Sequence, residues 1–138
     1  MTEKKITIGY IEKCDGSLRL NLLKNKLFQK SQFILVIQSN SKDFSKFMIY
    51  PLNVNKILKI TVSNVKEIVK ELEQFYSILK DFNIIHNTGL TVRKDIFVVE
   101  IYLNLRFSDS KYKDLKTSLD KIKNKYIDID IEEISLNI

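Results

Sequence analysis

Ile96-Phe97-Val98-Val99-Glu100-Ile101-Tyr102-Leu103-Asn104-Leu105 is the stretch on which the fold turns. Successive side chains of an extended strand point to opposite faces of its sheet. Here Phe97, Val99, Ile101, Leu103 and Leu105 fall on one face, and Ile96, Val98 and Tyr102 on the other. A strand apolar on both sides belongs inside a sheet that is covered on both faces. Helices of the same chain can cover one face. The other then needs a cover of its own, and a second copy of the domain is the simplest one.

Working outward, Ile84 to Val92 reads as the preceding strand, joined to the first through Arg93-Lys94-Asp95. Before it, Val65, Ile68, Val69, Leu72, Phe75, Tyr76 and Leu79 recur at steps of three and four, which predicts an amphipathic helix ending near Asp81. Ser63-Asn64 offers its N-cap, with Asn64 and Glu67 at capping-box spacing. Ile57 to Val62 supplies a strand ahead of that helix. Downstream, Ser108-Asp109 caps a second helix whose inward residues are Tyr112, Leu115, Leu119, Ile122 and Tyr126. Ile127, Ile129 and Ile131 then alternate with acids in a closing strand. Ile134, Leu136 and Ile138 continue in the opposite phase, which predicts a bulge near Glu132-Glu133. The order is βαββαβ, so residues 56–138 are expected to form a ferredoxin-like domain with two helices on a four-stranded antiparallel sheet.

Residues 1–55 read differently. Ile6, Ile8 and Tyr10 alternate with polar or small neighbours, Asp15-Gly16 marks a turn, and Leu18, Leu20 and Leu22 share one face of a strand that presents Arg19 and Asn21 on the other. Lys24 to Lys30 is expected to make a short helical turn with Leu23, Leu27 and Phe28 inward. Phe33 to Ile37 and Lys46 to Tyr50 are further strands, with a polar loop at Ser39 to Asp43 and a stop at Pro51. The whole chain is thus expected to be α+β, with a β-rich N-terminal domain followed by the βαββαβ domain.

Charge separates the same two parts. Residues 1–56 hold ten Lys or Arg against four acids, whereas residues 57–138 hold thirteen of each, so the formal net charge of +6 lies wholly in the first part. Such asymmetry points to a polyanionic partner. No apolar run approaches the roughly 20 residues of a membrane helix, and the N-terminus does not have the form of a signal peptide, which points to the cytoplasm. Cys14 has no disulfide partner in the chain, and with His86 alone it falls short of an ordinary zinc site. Gly9, Gly16 and Gly89 are too far apart for a phosphate-binding fingerprint. No nucleophile and base stand in a known motif, and Asp128, Asp130 and Glu132 read as a solvated strand face rather than metal ligands. No cofactor and no catalytic activity are expected.

The stretch Asp81-Phe82-Asn83-Ile84-Ile85-His86-Asn87-Thr88-Gly89-Leu90, leading into Phe97 to Tyr102, resembles ACT-type regulatory domains. That resemblance implies a site for an amino acid or similar metabolite at Asn64, where helix N–H groups can hold a carboxylate, and at Asn87, Thr88 and Gly89. The N-terminal part, from Lys5-Ile6-Thr7-Ile8-Gly9 through Gly16 to Leu22 to Phe47-Met48-Ile49-Tyr50-Pro51, resembles the swapped-hairpin DNA-binding domains of the AbrB type. That resemblance implies a homodimer on double-stranded DNA, with Arg19 and Asn21 near base edges and Lys4, Lys5, Lys13, Lys24 and Lys26 on phosphates. The combined expectation is a homodimeric DNA-binding transcriptional regulator with a metabolite-sensing C-terminal domain. The alternatives are an RNA-binding protein that stacks bases on Phe97 and Tyr102, or a non-enzymatic dimerisation or ligand-binding module.

Overall fold

The computed structural model describes residues 6–13, 26–64, 69–123 and 127–136, without the side chains of 27, 64 and 69–71. The chain divides into two compact units. One comprises residues 1–6 and 57–133, and the other residues 7–56 and 134–138.

The larger unit contains strand β4 (Lys56–Asn64), helix α2 (Val69–Leu79), strands β5 (Ile84–Asn87), β6 (Thr91–Arg93) and β7 (Ile96–Leu103), helix α3 (Ser110–Ile122) and strand β8 (Ile127–Ser135). The strands run β5-β7-β4-β8 across the sheet, and β6 also pairs with β7. In the register of β4 with β7, Leu58 lies opposite Leu103, Ile60 opposite Ile101 and Val62 opposite Val99. These six share one face with Ile127 and Ile129, and Phe75, Leu79, Leu115 and Leu119 from the helices close over them. Burying each such side chain contributes about 1.5–3 kcal/mol, which is why two amphipathic helices commit to this face. Leu72 and Tyr76 of α2 and Tyr112 and Ile122 of α3 pack against this core, as the helical period predicts, while Val65, Ile68, Tyr126 and the side chain of Val69 lie outside the described residues.

The protein is α+β with two antiparallel sheets, and the four-stranded ferredoxin-like βαββαβ sheet expected from the sequence is corrected. The larger sheet has five strands, and a separate sheet of three stands in the smaller unit. Ile84 to Val92 is not one strand. It breaks at Thr88-Gly89-Leu90, where Gly89 takes a φ of 72°, so that β5 and β6 pair with different parts of β7. The turn back into β7 is a two-residue loop with Lys94 at φ 50° and Asp95 at φ 64°. Two consecutive positive φ values match the twist of a hairpin, although Asn-Gly would adopt them at lower cost.

The second face of β7 is also closed within a single chain. Val98, Glu100 and Tyr102 are buried, and so are their neighbours Lys59, Thr61 and Ser63 on β4. Strand β8 is continuous from Ile127 to Ser135, with alternate burial up to Asp130 and half-buried residues from Ile131 to Ile134.

The smaller unit holds strand β1 (Ile8–Lys13), helix α1 (Lys26–Gln29), and strands β2 (Phe33–Asn40) and β3 (Ser45–Leu52), in the antiparallel order β1-β2-β3. Phe28 of α1 covers Ile34 and Val36, with Tyr10 and Ile49 beside them. Pro51 does not stop β3 as the sequence suggested. It pairs with Ile34 inside an edge strand, where its missing N–H can face away from the ladder. The last residues of the chain return to this unit. Leu136 makes a parallel bridge with Ile11, and its N–H donates to the Asn55 carbonyl at 2.9 Å.

Candidate functional site

The excess positive charge belongs to the smaller unit. Its residues, 7–56 and 134–138, include eight Lys or Arg and three acids, whereas the larger unit carries fifteen and fourteen. Lys13 at the end of β1, Lys26 and Lys30 around α1, Lys42 and Lys46 in the β2–β3 hairpin, and Lys56 are all exposed. Short strands explain this. A three-stranded sheet with a four-residue helix has little interior, and a lysine on its rim keeps its ammonium in water.

Of the residues expected on DNA, Lys13 and Lys26 are therefore solvent-facing cations. Arg19, Asn21, Lys4, Lys5 and Lys24 lie outside the described residues, as do the Leu18 to Leu22 strand and Cys14.

The residues expected to hold a metabolite are spread over one unit and largely occupied. Asn64 ends β4, and the capping partner Glu67 falls outside the described residues. Asn87 Oδ1 accepts the Gly89 N–H at 2.8 Å, and its amide nitrogen donates to the Tyr76 hydroxyl at 3.3 Å. Thr88 exchanges bonds with β7 at the point where β5 and β6 part. Its N–H donates to the Glu100 carbonyl at 3.0 Å, its hydroxyl oxygen accepts the Glu100 N–H at 3.0 Å, and that hydroxyl donates to the Gly89 carbonyl at 2.9 Å. These side chains satisfy backbone groups that the broken strand would otherwise orphan.

Sequence reasoning missed a buried polar row on the face of the larger sheet away from the helices. His86, Tyr102 and Lys59 lie opposite one another on β5, β7 and β4. Lys59 Nζ stands 5.5 Å from the centre of the Tyr102 ring, and the His86 ring lies 6.1 Å from it on the other side. Diagonal to that row, Glu100 Oε2 is 2.9 Å from Lys59 Nζ, with both side chains buried, and Glu132 Oε1 is 3.9 Å away. The Ile6 N–H also donates to Glu100 Oε2 at 3.3 Å. Tyr102, one of the two aromatics on which RNA bases were expected to stack, is wholly buried. Such a pair is costly to desolvate, and its attraction offsets that cost only with close geometry and further hydrogen bonds, both of which are present. Asp128 and Asp130 on the outer positions of β8 are exposed, and no group of three or more metal-ligating side chains occurs among the described residues.

Asp109, expected as a capping residue, opens α3 with an extended backbone but makes no side-chain cap bond. Its carboxylate turns back instead, accepting the Arg106 N–H at 2.9 Å and the guanidinium at 3.3 Å. The backbone bond from Arg106, reinforced by its guanidinium, holds the Asp109 carboxyl below the usual range.

No helix is long and apolar enough to cross a membrane among the described residues. No protein-family model matches the chain, and no curated protein matches it either. Among solved structures, the crystal structure of an unknown protein from Galdieria sulphuraria is similar, at 15% identity and a TM-score of 0.44. The match covers 62% of this chain and 48% of that one, so the chain spans about half of that protein's length.

Proposed function

We propose that this protein is a non-enzymatic, homodimeric DNA-binding regulator that docks on duplex DNA through its smaller unit. The observation that carries the reading is the segregation of charge. The 55 residues of the smaller unit carry a formal charge of +5, and Lys13, Lys26, Lys30, Lys42, Lys46 and Lys56 among them are exposed, while the larger unit is close to neutral. Lys13 and Lys26, with Lys4, Lys5 and Lys24, neutralise phosphates, while Arg19 and Asn21 approach base edges. An amino acid or similar metabolite bound by the larger unit at Asn64, Asn87, Thr88 and Gly89 is the accompanying regulatory input.

Salt dependence tests the reading. Each neutralised phosphate releases condensed counterion, so the logarithm of affinity falls linearly with the logarithm of salt concentration, with a slope near −5 for about six contacts. Lys24→Glu with Lys26→Glu flattens that slope on every sequence, and Arg19→Ala blurs discrimination between sequences. Failure of duplex DNA to bind at low salt ends the regulator reading.

A further inference from the structure

Three large apolar side chains of the smaller unit stand in water: Ile8 is 53% exposed, Phe47 52% and Phe44 66%. The strand register places Ile8 and Phe47 on either side of Gln38, so these three share one face of the sheet. Phe28 covers that face farther along, over Ile34 and Val36, but this end is bare. Asn40, opposite Ser45, continues the same face.

The hairpin that displays the rings is braced. Ser41 donates twice to the Phe44 carbonyl, from its N–H at 2.9 Å and its hydroxyl at 3.0 Å. Asn40 Oδ1 accepts the Gln38 amide at 2.8 Å and the Ser45 hydroxyl at 2.7 Å. A partner binding here meets side chains whose ordering cost is already met. Lys42, exposed, lies in the hairpin loop two residues before Phe44, whereas Lys46, opposite Ser39, belongs to the other face of the sheet.

The chemistry of the patch selects among partners. A bilayer would accept the phenyl rings but would also have to desolvate the Gln38 and Asn40 amides beside them. A second copy meeting tip to tip would bring two sets of lysines on two positively charged units together. An unpaired nucleotide offers a π-face for Phe, an edge for an amide and a phosphate for a lysine. We infer that the tip of the β2–β3 hairpin binds single-stranded nucleic acid, stacking unpaired bases on Phe44 and Phe47 with Lys42 on an adjoining phosphate. This goes beyond the duplex contact and stands on different residues.

The test uses the full chain, with oligothymidylate, oligouridylate and duplex DNA followed by fluorescence anisotropy. The first two distinguish DNA from RNA as the source of the bases. Phe44→Ala and Phe47→Ala should each weaken single-strand binding about tenfold, as expected for the loss of one stacked base, and leave duplex binding unchanged. Phe47→Tyr should retain binding and Phe47→Leu should lose it, because leucine keeps apolar bulk without a π-face. A 2-aminopurine placed in the strand should be quenched by the wild type and not by the double alanine variant. The inference is overturned if single strands do not bind, if the alanine or leucine variants bind as the wild type does, or if those variants lose only binding to anionic vesicles or self-association. Duplex binding without single-strand binding sinks this inference alone, and the reverse sinks the regulator reading alone.

Discussion

The two units of this chain roof their sheets differently, although each leaves large apolar side chains in water: Ile84, Leu90, Val92 and Phe107 in the larger, and Ile8, Phe44 and Phe47 in the smaller. In the larger one, the six inward residues of β4 and β7 are roofed by Phe75, Leu79, Leu115 and Leu119, and the opposite face closes over the Lys59–Glu100 pair. In the smaller one, a four-residue helix roofs only part of a sheet face, and Ile8, Phe44 and Phe47 are left in water among lysines. The larger unit also balances its charges, while the smaller one displays an excess of one sign. On the function proposed above, recognition falls to the smaller unit, and the buried Lys59–Glu100 pair is a device of the larger unit alone.

Breaking the buried pair should show this most strongly. Glu100→Ala strands the Lys59 ammonium in the interior and should cost about 3–5 kcal/mol in denaturant unfolding, whereas Lys59→Met combined with Glu100→Leu should be nearly neutral. A loss below about 1 kcal/mol for Glu100→Ala would mean that the larger unit does not depend on that pair.

At the strand break, Gly89 has no atom within 4 Å of where a Cβ would stand, so Gly89→Ala meets no clash and bears only the cost of its φ of 72°. That cost is about 1–2 kcal/mol. A larger measured loss would show that Gly89 is also needed for packing.

Phe44→Ala and Phe47→Ala should change stability by no more than about 0.5 kcal/mol, since each side chain is mostly in water. This outcome, set against the loss of oligonucleotide binding, would sharpen the division of labour. A cooperative destabilisation would instead place both rings in a core.

The smallest expected effect is at Asp109. Its carboxyl titrates below the usual range because Arg106 bonds to the ionised form. A depressed folded-state value contributes stability above the unfolded value near about pH 4 and loses it as pH falls through the folded value. Melting temperatures of the wild type and Asp109→Asn should therefore converge on acidification below about pH 4, with the wild type slightly higher at neutral pH.

Much of the architecture was legible because it is written in local period. Leu115 and Leu119 are buried one turn apart in α3, and Ile127 and Ile129 alternate with exposed Asp128 and Asp130 in β8, as their spacing predicts. The exposed lysines were legible too, since a rim position follows from charge and strand length. The hairpin aromatics were not. A phenylalanine in a strand is ordinarily taken as core, yet Phe47 shares a row with Ile8 on which both side chains are half exposed.

By itself, then, the sequence determined the α2 and α3 stripes, most of the strands and the uneven charge, because each depends on neighbours within a turn or a pleat. Tertiary structure alone decided the partner of Lys59, which lies 41 residues from Glu100 and reaches it only because β4 and β7 pair in one particular register. It likewise decided the splitting of one expected strand into β5 and β6, and the passage of β8 from one unit into the other. Those outcomes rest on which distant backbones come to lie side by side, and side-chain period along a single segment carries no information about that choice.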